Sequence, residues 1–428
     1  MKNTNTIKVN FKGGIIDPAR LYNILMACGK SGLLYVRFGL RQQLLFDVIL
    51  ENVSTITAEL EALGVGYEVN EMEHPNIMSS LPAEQIFIQD TWLKEEQYQS
   101  ILDSFQYSPR LKVNISDASQ SLTPLLTGNI NWISATEVPG YFYLSVRFPK
   151  TNTIYEWDQL VPGNEIAALS LKLEDTILQH RSKFYDEGTA NGEELMTLAK
   201  IVESFHTKPA PGPLVLPTFN LPYYEGLTRY GTNLSWLGIY RRDELYSIKF
   251  LKEVCLLCIE TKSGPLCSTP WKTIIIKGIK EEHREVWNAL LDKYHVNVRH
   301  AANELNFQLD DNSLEALKLK QHLVKHLNDD DIRTFGVCIG IKTRKKSEVF
   351  SSILVRRRPL ISIGKWGFFH VYDILCAKDY NPNERTDFVF SKDNPKAVLA
   401  EQLRRAVGSY YQRNDPKEPE YDVVEDKF

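Results

Sequence analysis

Part of this chain repeats itself at a fixed offset. Residues 37–66 reappear, without a gap and with their apolar pattern intact, 231 positions further on, and both copies are predicted to form a strand, a turn and a helix. Residues 142–173 match residues 372–403 in the same way at an offset of 230. Such an offset far exceeds the roughly 20 to 50 residues of solenoid repeats. The repeated unit is therefore a whole α+β half-protein, and we expect the halves to pack as pseudo-twofold partners.

A proline-rich connector divides the two halves. Five prolines fall between residues 209 and 222, which excludes a helix or a central strand there. Each half is predicted to hold a small half domain followed by a larger α/β domain, and the acidic end of the chain is predicted to be a tail or a linker. The predicted divisions are half domain 1 at 1–70, α/β domain 1 at 71–205, the connector at 206–224, half domain 2 at 225–300, α/β domain 2 at 301–412 and the tail at 413–428.

The composition is that of a large globular chain. Of its 428 residues, 43% are hydrophobic and 24% are charged, and the net charge of -4 argues neither for nor against a polyanionic partner. No run of 18 apolar residues exists, and no hydrophobic block follows the first twelve residues, so we predict no membrane span, no signal peptide and a cytoplasmic location. Six scattered cysteines are too few for a disulfide framework.

The first copy of the repeat carries a candidate binding motif. Arg37, Arg41 and Gln42 place two guanidinium groups and a carboxamide around a turn between two predicted strands. Arginine suits the fixed, bidentate capture of a carboxylate or an oxyanion. The alternative is a solvated hairpin tip without a ligand.

The motif and the domain order together resemble a known family. An Arg-x-x-x-Arg-Gln sequence between two strands, with a helix ending near Leu63 and Gly64, is similar to the first half domain of the sirohaem sulfite and nitrite reductases. In that family a half domain and a larger α/β domain alternate twice, and this order matches residues 7–412 here. The resemblance implies an α+β fold, a tandem pseudo-twofold duplication of two ferredoxin-like half domains and two larger α/β domains.

The resemblance also implies a cofactor site. The family uses the arginines of this turn to bind the carboxylates of sirohaem, so Arg37, Arg41 and Gln42 are the implied contacts. Gly39 stands where the family usually has threonine, which removes a hydroxyl donor. Four further basic residues lie where the family supplies more basic groups: Arg110, Lys112, Arg147 and Lys150. Alternatively, these four residues are charges at strand edges that discourage aggregation.

The metal ligands of the family are missing. Its four-iron four-sulfur cluster is held by a Cys-x5-Cys pair and a later Cys-x3-Cys pair, but only Cys338 occurs in residues 301–345. We therefore predict that no such cluster binds. Cys255 and Cys258 have a metal-binding spacing without a second pair, and we expect them in the core. His322 and His326 are expected on a solvated helix face.

Two basic runs complete the candidates, at residues 344–346 and 356–358. They could attract an anionic ligand or an acidic electron-transfer protein, and exposed strand ends are the alternative. They lack the interleaved aromatic residues of a single-strand nucleic-acid platform, so no nucleic-acid partner is predicted.

Three functions are compatible with these features. The first is a divergent sulfite or nitrite reductase-like redox protein that retains sirohaem without the cluster and receives electrons from a protein such as ferredoxin or rubredoxin. The second is a cofactor-free pseudoenzyme that serves as a scaffold or partner-binding module. The third is an unrelated anion-binding enzyme. The chain also resembles the reductase-like body of rubredoxin-fused proteins, in which residues 415–428 would suit a linker.

Overall fold

The computed structural model describes residues 4–87, 90–344, 348–363, 366–384 and 386–413. The chain divides into two compact units, residues 1–305 and 306–428. The first unit contains both half domains and the first α/β domain. The second unit contains the second α/β domain. Nowhere in the described ranges is a helix both long and apolar enough to cross a membrane.

The first half domain is a layer of strands with helices on one face. Its elements are β1 (Thr4–Val9), β2 (Ile15–Ile16), α1 (Pro18–Lys30), β3 (Tyr35–Phe38), β4 (Leu44–Ile49), α2 (Val53–Ala62) and β5 (Glu68–Val69). Helix α1 begins after Asp17, whose carboxylate accepts a hydrogen bond from the main-chain N–H of Arg20 at 2.7 Å and so caps the helix. Residues of β1, β3 and β4 alternate between the helices and the opposite face.

The first α/β domain follows. Its elements are β6 (Met78–Ser79), α3 (Glu95–Ser104), β7 (Val113–Ser116), β8 (Ile130–Ser134), β9 (Tyr141–Arg147), β10 (Ile154–Pro162), α4 (Ile166–Gln179), α5 (Arg181–Phe184), α6 (Gly192–Leu198), α7 (Ile201–Ser204) and β11 (Lys208–Pro209). Strands β6, β7 and β8 are parallel, and β9 and β10 continue the sheet antiparallel.

The second half domain repeats the first. Its elements, with the short helix that ends the unit, are β12 (Gly226–Tyr230), β13 (Leu234–Ile239), β14 (Tyr246–Ser247), α8 (Ile248–Thr261), β15 (Leu266–Ser268), β16 (Ile274–Lys280), α9 (Arg284–Lys293) and α10 (Ala302–Leu305). Helix α8 begins 230 positions after α1, and α9 begins 231 positions after α2. The predicted repeat is therefore a repeat of structure.

The two half domains exchange strands. Strand β14 of the second copy pairs with β3 of the first, and β2 of the first pairs with β15 of the second. Helices α1 and α8 pack on each other, and one hydrophobic core contains apolar residues of both copies. The expected pseudo-twofold packing is thus confirmed for the half domains, and neither copy completes its sheet alone.

One detail of the predicted repeat is wrong. Residues 37–66 were expected to match without a gap at an offset of 231, but the equivalent turns, from Gly39 to Gln43 and from Thr269 to Thr273, differ by 230, so that Lys272 matches Gln42. Strand β16 contains an extra residue, because its pairing with β13 shifts near Gly278, whose φ is +68°. This bulge changes the offset from 230 to 231.

The second unit repeats the topology of the first α/β domain. Its elements are β17 (Phe307–Leu309), α11 (Leu314–Asp329), β18 (Ile339–Lys342), β19 (Ile353–Ile363), β20 (Trp366–Ala377), β21 (Asp387–Asn394) and α12 (Lys396–Arg413). Strands β17, β18 and β19 are parallel, and β20 and β21 follow antiparallel. Helix α12 begins 230 positions after α4.

Candidate functional site

Arg37 lies on the face of the first half domain that is turned away from the helices. Its neighbours Val36 and Phe38 are buried in the core, so strand alternation places Arg37 on the opposite face. The Arg37 side chain is 18% exposed, and its Nη2 donates to Oδ2 of Asp47 on the adjacent strand at 2.5 Å. The hydroxyl of Thr6 on β1 donates to the same carboxylate at 2.6 Å.

A groove of about 350 Å³ opens at this position, and we call it the Arg37 groove. Residues 31–37 line one side and residues 45–49 the other, with Asn52 and Leu245 at the ends. Its lining combines apolar side chains with the polar groups of Arg37, Asp47 and Asn52. The Nε of Arg37 is buried and has no hydrogen-bond partner in the described part of the chain.

The same position in the second copy is closed. At the offset of 230, Cys267 replaces Arg37 and Lys277 replaces Asp47. Lys277 is 3% exposed, and its Nζ lies 2.8 Å from a carboxylate oxygen of Glu84 and 2.8 Å from one of Glu95, both in the first α/β domain. Duplication thus gave two equivalent faces, of which one is filled by neighbouring carboxylates and the other is an arginine-bearing groove.

Arg41 and Gln42 are buried in the turn that follows Arg37. Arg41 is 3% exposed and donates to the carbonyl of Asn76 from Nε at 3.1 Å and from Nη2 at 2.8 Å. Its Nη2 also donates to the carbonyl of Val113 at 3.0 Å and to Oδ1 of Asn114 at 3.1 Å. These bonds fix the turn to the start of the first α/β domain.

Gln42 connects three parts of the first unit. Its Nε2 donates to the carbonyls of Ser79 at 3.0 Å and of Ser268 at 2.9 Å. Its Oε1 accepts from the main-chain N–H of Ser79 at 2.9 Å. Ser268 belongs to β15, so the carboxamide joins both half domains to the first α/β domain.

Arg147 and Lys112 lie near the same turn. Arg147 donates to the carbonyls of Gly128 at 3.1 Å and Thr127 at 2.8 Å, while Asn114 donates to the Thr127 hydroxyl at 2.9 Å. The main-chain N–H of Lys112 donates to Oδ1 of Asn129 at 3.2 Å. Arg41 and Arg147 therefore both donate to one segment, residues 113–128, which Lys112 directly precedes.

Arg110 and Lys150 lie elsewhere in the first α/β domain. Arg110 pairs with two carboxylates of α4, Glu174 at 3.3 Å and Asp175 at 2.7 Å. The ammonium of Lys150 stands 5.2 Å from the ring centre of Tyr185. The predicted cofactor contacts thus do not form one site. Arg37 lies in its groove, Arg41 and Gln42 lie in the turn near Lys112 and Arg147, and Arg110 and Lys150 each lie apart from both groups.

The cysteines are core residues. All six are buried, and Cys255 and Cys258 belong to the core shared by α1 and α8, as expected. Burial raises the pKa of Cys338 to about 12, so its thiol stays protonated at neutral pH. Within the described ranges, no group of three or more His, Cys, Asp or Glu residues is placed to hold a metal ion. His322 and His326 lie on the partly exposed side of α11, as predicted.

The second basic run is paired with carboxylates. Arg356 and Arg358 both bind Asp373, at 3.0 and 2.9 Å, and Asp373 is fully buried. Arg357 pairs with Glu315 at 2.7 Å. This run is therefore neutralised within the second unit. Of the first run, Arg344 donates to the carbonyl of Asn312 at 3.0 Å, and residues 345 and 346 lie outside the described ranges.

Comparison with known proteins supports the fold. No family model and no curated protein matches the chain. A solved structure, the NirA protein of Mycobacterium tuberculosis, matches with a TM-score of 0.71 and 15% sequence identity, over 97% of this chain and 82% of that one. At this identity the likeness concerns the fold alone. It confirms the predicted fold class: the chain is a mixed α+β protein of repeated domains with a NirA-like fold.

Proposed function

We propose that the chain is a divergent redox protein of the sulfite and nitrite reductase type, which binds an anionic tetrapyrrole of the sirohaem class in the Arg37 groove. The observation that carries the proposal is the difference between the two copies. The face of the second copy is filled by Lys277 and its two carboxylates, while the same face of the first copy presents an open groove lined by apolar side chains and by the pair of Arg37 with Asp47. The NirA-like fold supports the reductase type.

The groove fits part of such a cofactor. A tetrapyrrole ring is flat and apolar on both faces, and Tyr35, Leu45 and Ile49, which lie on the same face as Arg37, offer an apolar wall. The exposed part of the Arg37 guanidinium would hold one carboxylate of its rim by a charge-assisted hydrogen bond. When bound, sirohaem supplies an iron centre at which electrons pass to an oxidised sulfur or nitrogen anion. The protein contributes binding, orientation and shielding from water.

The residues do not fit an iron–sulfur cluster. The resemblance calls for four cysteine ligands in the second α/β domain, and residues 301–345 supply only Cys338. We therefore propose a cluster-free protein of sulfite or nitrite assimilation, cytoplasmic, that takes electrons from a small donor protein such as ferredoxin or rubredoxin.

The composition of the purified protein tests this proposal. We expect protein purified anaerobically from a host that makes sirohaem to show tetrapyrrole absorption and bound iron, with no stoichiometric acid-labile sulfide. Acid-labile sulfide at four per chain would contradict the cluster-free assignment. A colourless protein that also fails to take up sirohaem in vitro would contradict the cofactor assignment.

A second function is favoured by the arginine contacts. Arg110 is paired with carboxylates and Arg147 with main-chain carbonyls, and a polycarboxylate would compete with these partners. These contacts support a cofactor-free pseudoenzyme whose duplicated body binds a protein partner. Absence of saturable sirohaem binding by the intact chain would leave this function as the proposal.

A further inference from the structure

The two copies differ on their outer helices as well as at the Arg37 groove. In the first copy the cleft between α1 and α2 is crossed by an ion pair, with Nζ of Lys30 at 2.9 Å from Oε2 of Glu59. The equivalent positions of the second copy are Glu260 and Leu290, which form no ion pair. In the second copy the ion pair between the helices lies elsewhere, with Nζ of Lys293 at 2.7 Å from Oε2 of Glu253, and an open groove of about 490 Å³ lies beside it between α8 and α9.

The second copy exposes apolar side chains at this groove and beside it. Leu256 and Val286 line the groove and are 47% and 50% exposed, and Ile259, on the neighbouring side of α8, is 49% exposed. Their equivalents in the first copy are Met26, Gly29 and Thr55. The two copies bury side chains at equivalent positions of their helices. The hydrophobic core therefore does not require apolar side chains at these three exposed positions. A contiguous exposed apolar patch marks an interaction site more often than single exposed residues do.

The charges beside this patch indicate what binds there. Lys252, Leu256 and Glu260 follow one another at intervals of four on α8, so they lie along one stripe of the helix. Lys252 contacts only the sulfur of Met26, at 3.4 Å, and within the described residues neither Lys252 nor Glu260 has an ion-pair partner. The stripe thus carries a cation at one end, an apolar residue at the centre and an anion at the other end.

We propose that this stripe is the interface between two copies of the chain. A twofold axis at Leu256 sets α8 antiparallel to α8 of the second copy and places Lys252 of each copy opposite Glu260 of the other. An isologous contact needs such a self-complementary surface. The Leu256 and Ile259 side chains of one copy then enter the groove between α8 and α9 of the other. The small patch predicts a weak, concentration-dependent dimer.

Charge exchange tests the proposed interface. We expect sedimentation of the full chain to show a monomer–dimer equilibrium. Glu260→Lys or Lys252→Glu alone should weaken the dimer by about tenfold or more, because like charges then oppose each other twice. The double variant should restore dimerisation, since the pairs re-form with opposite polarity. A double variant as weak as the single variants would overturn the proposal.

An apolar substitution and its control complete the test. Leu256→Asp should leave a folded monomer, because it places a carboxylate at the centre of the contact. Leu314 on α11 is 75% exposed, and Leu314→Asp should leave the dimer unchanged. Circular dichroism checks that both variants fold. A wild-type protein that stays monomeric at all concentrations, or a dimer that tolerates Leu256→Asp, would contradict the assignment.

Discussion

Two arginines four residues apart have different roles in this protein. Arg41 is buried and bonded to main-chain carbonyls, whereas Arg37 lines a groove with a guanidinium Nε that has no acceptor in the described chain. The motif predicted that both would face a ligand. Sequence could not separate them, because the acceptors of Arg41 come from residues 76, 113 and 114, which are remote in the chain.

The difference between these arginines can be measured as stability. Arg41→Ala should lower the free energy of unfolding by about 3 kcal/mol or more, because it removes charge-assisted bonds and leaves buried carbonyls unmatched. Arg37→Ala should cost about 1 kcal/mol or less, since its pair with Asp47 is partly exposed. Urea unfolding of the two variants gives both values. Equal losses would contradict the structural role of Arg41.

Lys277 provides a second prediction at the level of a residue. Lys277→Ala leaves Glu84 and Glu95 without their shared cation in a largely buried place, and we expect a loss of about 3–5 kcal/mol. Lys280→Ala, three residues later on β16, serves as the control, because its side chain is 56% exposed and should matter little. A small effect of Lys277→Ala in urea unfolding would contradict the claim that Lys277, Glu84 and Glu95 close this face of the second copy.

The Lys277 contact also predicts a pH dependence. Burial by itself would lower the pKa of Lys277, but Cys267 and the carboxylates of Glu84 and Glu95 outweigh it, so the pKa is raised. The folded pKa of Lys277 is above the unfolded value of about 10.4. The ion pairs of Lys277 therefore contribute fully to the free energy of unfolding below that pH, and this contribution is lost as the pH rises through the folded pKa. The stability difference between wild type and Lys277→Met should therefore be constant from pH 7 to about 10 and change above it.

At the scale of elements, the two copies have equivalent helices and strands, but different residues pack against them. Position 8 of the first copy is a buried lysine paired with Glu68 at 2.6 Å, and its equivalent in β13 is Gly238. A Cβ at Gly238 would lie 2.1 Å from the carbonyl oxygen of Tyr224. The main chain before β12 approaches β13 so closely that only glycine fits there.

This close approach gives a prediction for glycine substitutions. Gly238→Ala should destabilise the protein by about 1–3 kcal/mol or more, because main-chain atoms must move. Gly29→Ala is the matched control. Gly29 lies inside α1 with no atom near the added Cβ, so alanine should stabilise by about 0.5–1 kcal/mol. Thermal unfolding of both variants measures the difference, and a neutral Gly238→Ala would show that the strands are farther apart.

Strand exchange can be tested by a cross-link. Ile15 of β2 lies directly opposite Cys267 of β15. Ile15→Cys should therefore form an intramolecular disulfide on mild oxidation, since facing residues of paired strands lie within the range that a disulfide spans. Peptide mapping identifies the bond, and Ile15→Cys with Cys267→Ser should lack it. Failure of the single variant to cross-link would argue against pairing of β2 with the second copy.

At the scale of the whole molecule, the sequence predicted the repeat but not the exchange of strands between its two copies. The matched apolar positions of α2 and α9 were visible in the chain, because buried side chains keep their spacing through duplication. The strand exchange was not visible, because β2 and β14 are two-residue strands with no periodicity. The bulge at Gly278 explains why α8 begins 230 positions after α1 while α9 begins 231 positions after α2.

The candidate site, like the fold, could be predicted from the sequence only in part. The motif correctly placed Arg37 beside a turn between strands. The closed face of the second copy depends on Glu84 and Glu95, which lie about 190 positions from Lys277 and gave no local signal. The likeness to NirA extends over 97% of the chain, so the fold is common to both proteins.

Titration of the full chain with sirohaem tests the central claim most directly. We predict a saturable change in tetrapyrrole absorption for the wild type. Binding should be about tenfold or more weaker for Arg37→Ala, which removes a charge-assisted bond. Arg229→Ala, an exposed arginine of β12 paired with Glu281, should bind like the wild type. Absence of saturable binding by the wild type, or equal affinity of Arg37→Ala, would contradict a cofactor site in the Arg37 groove.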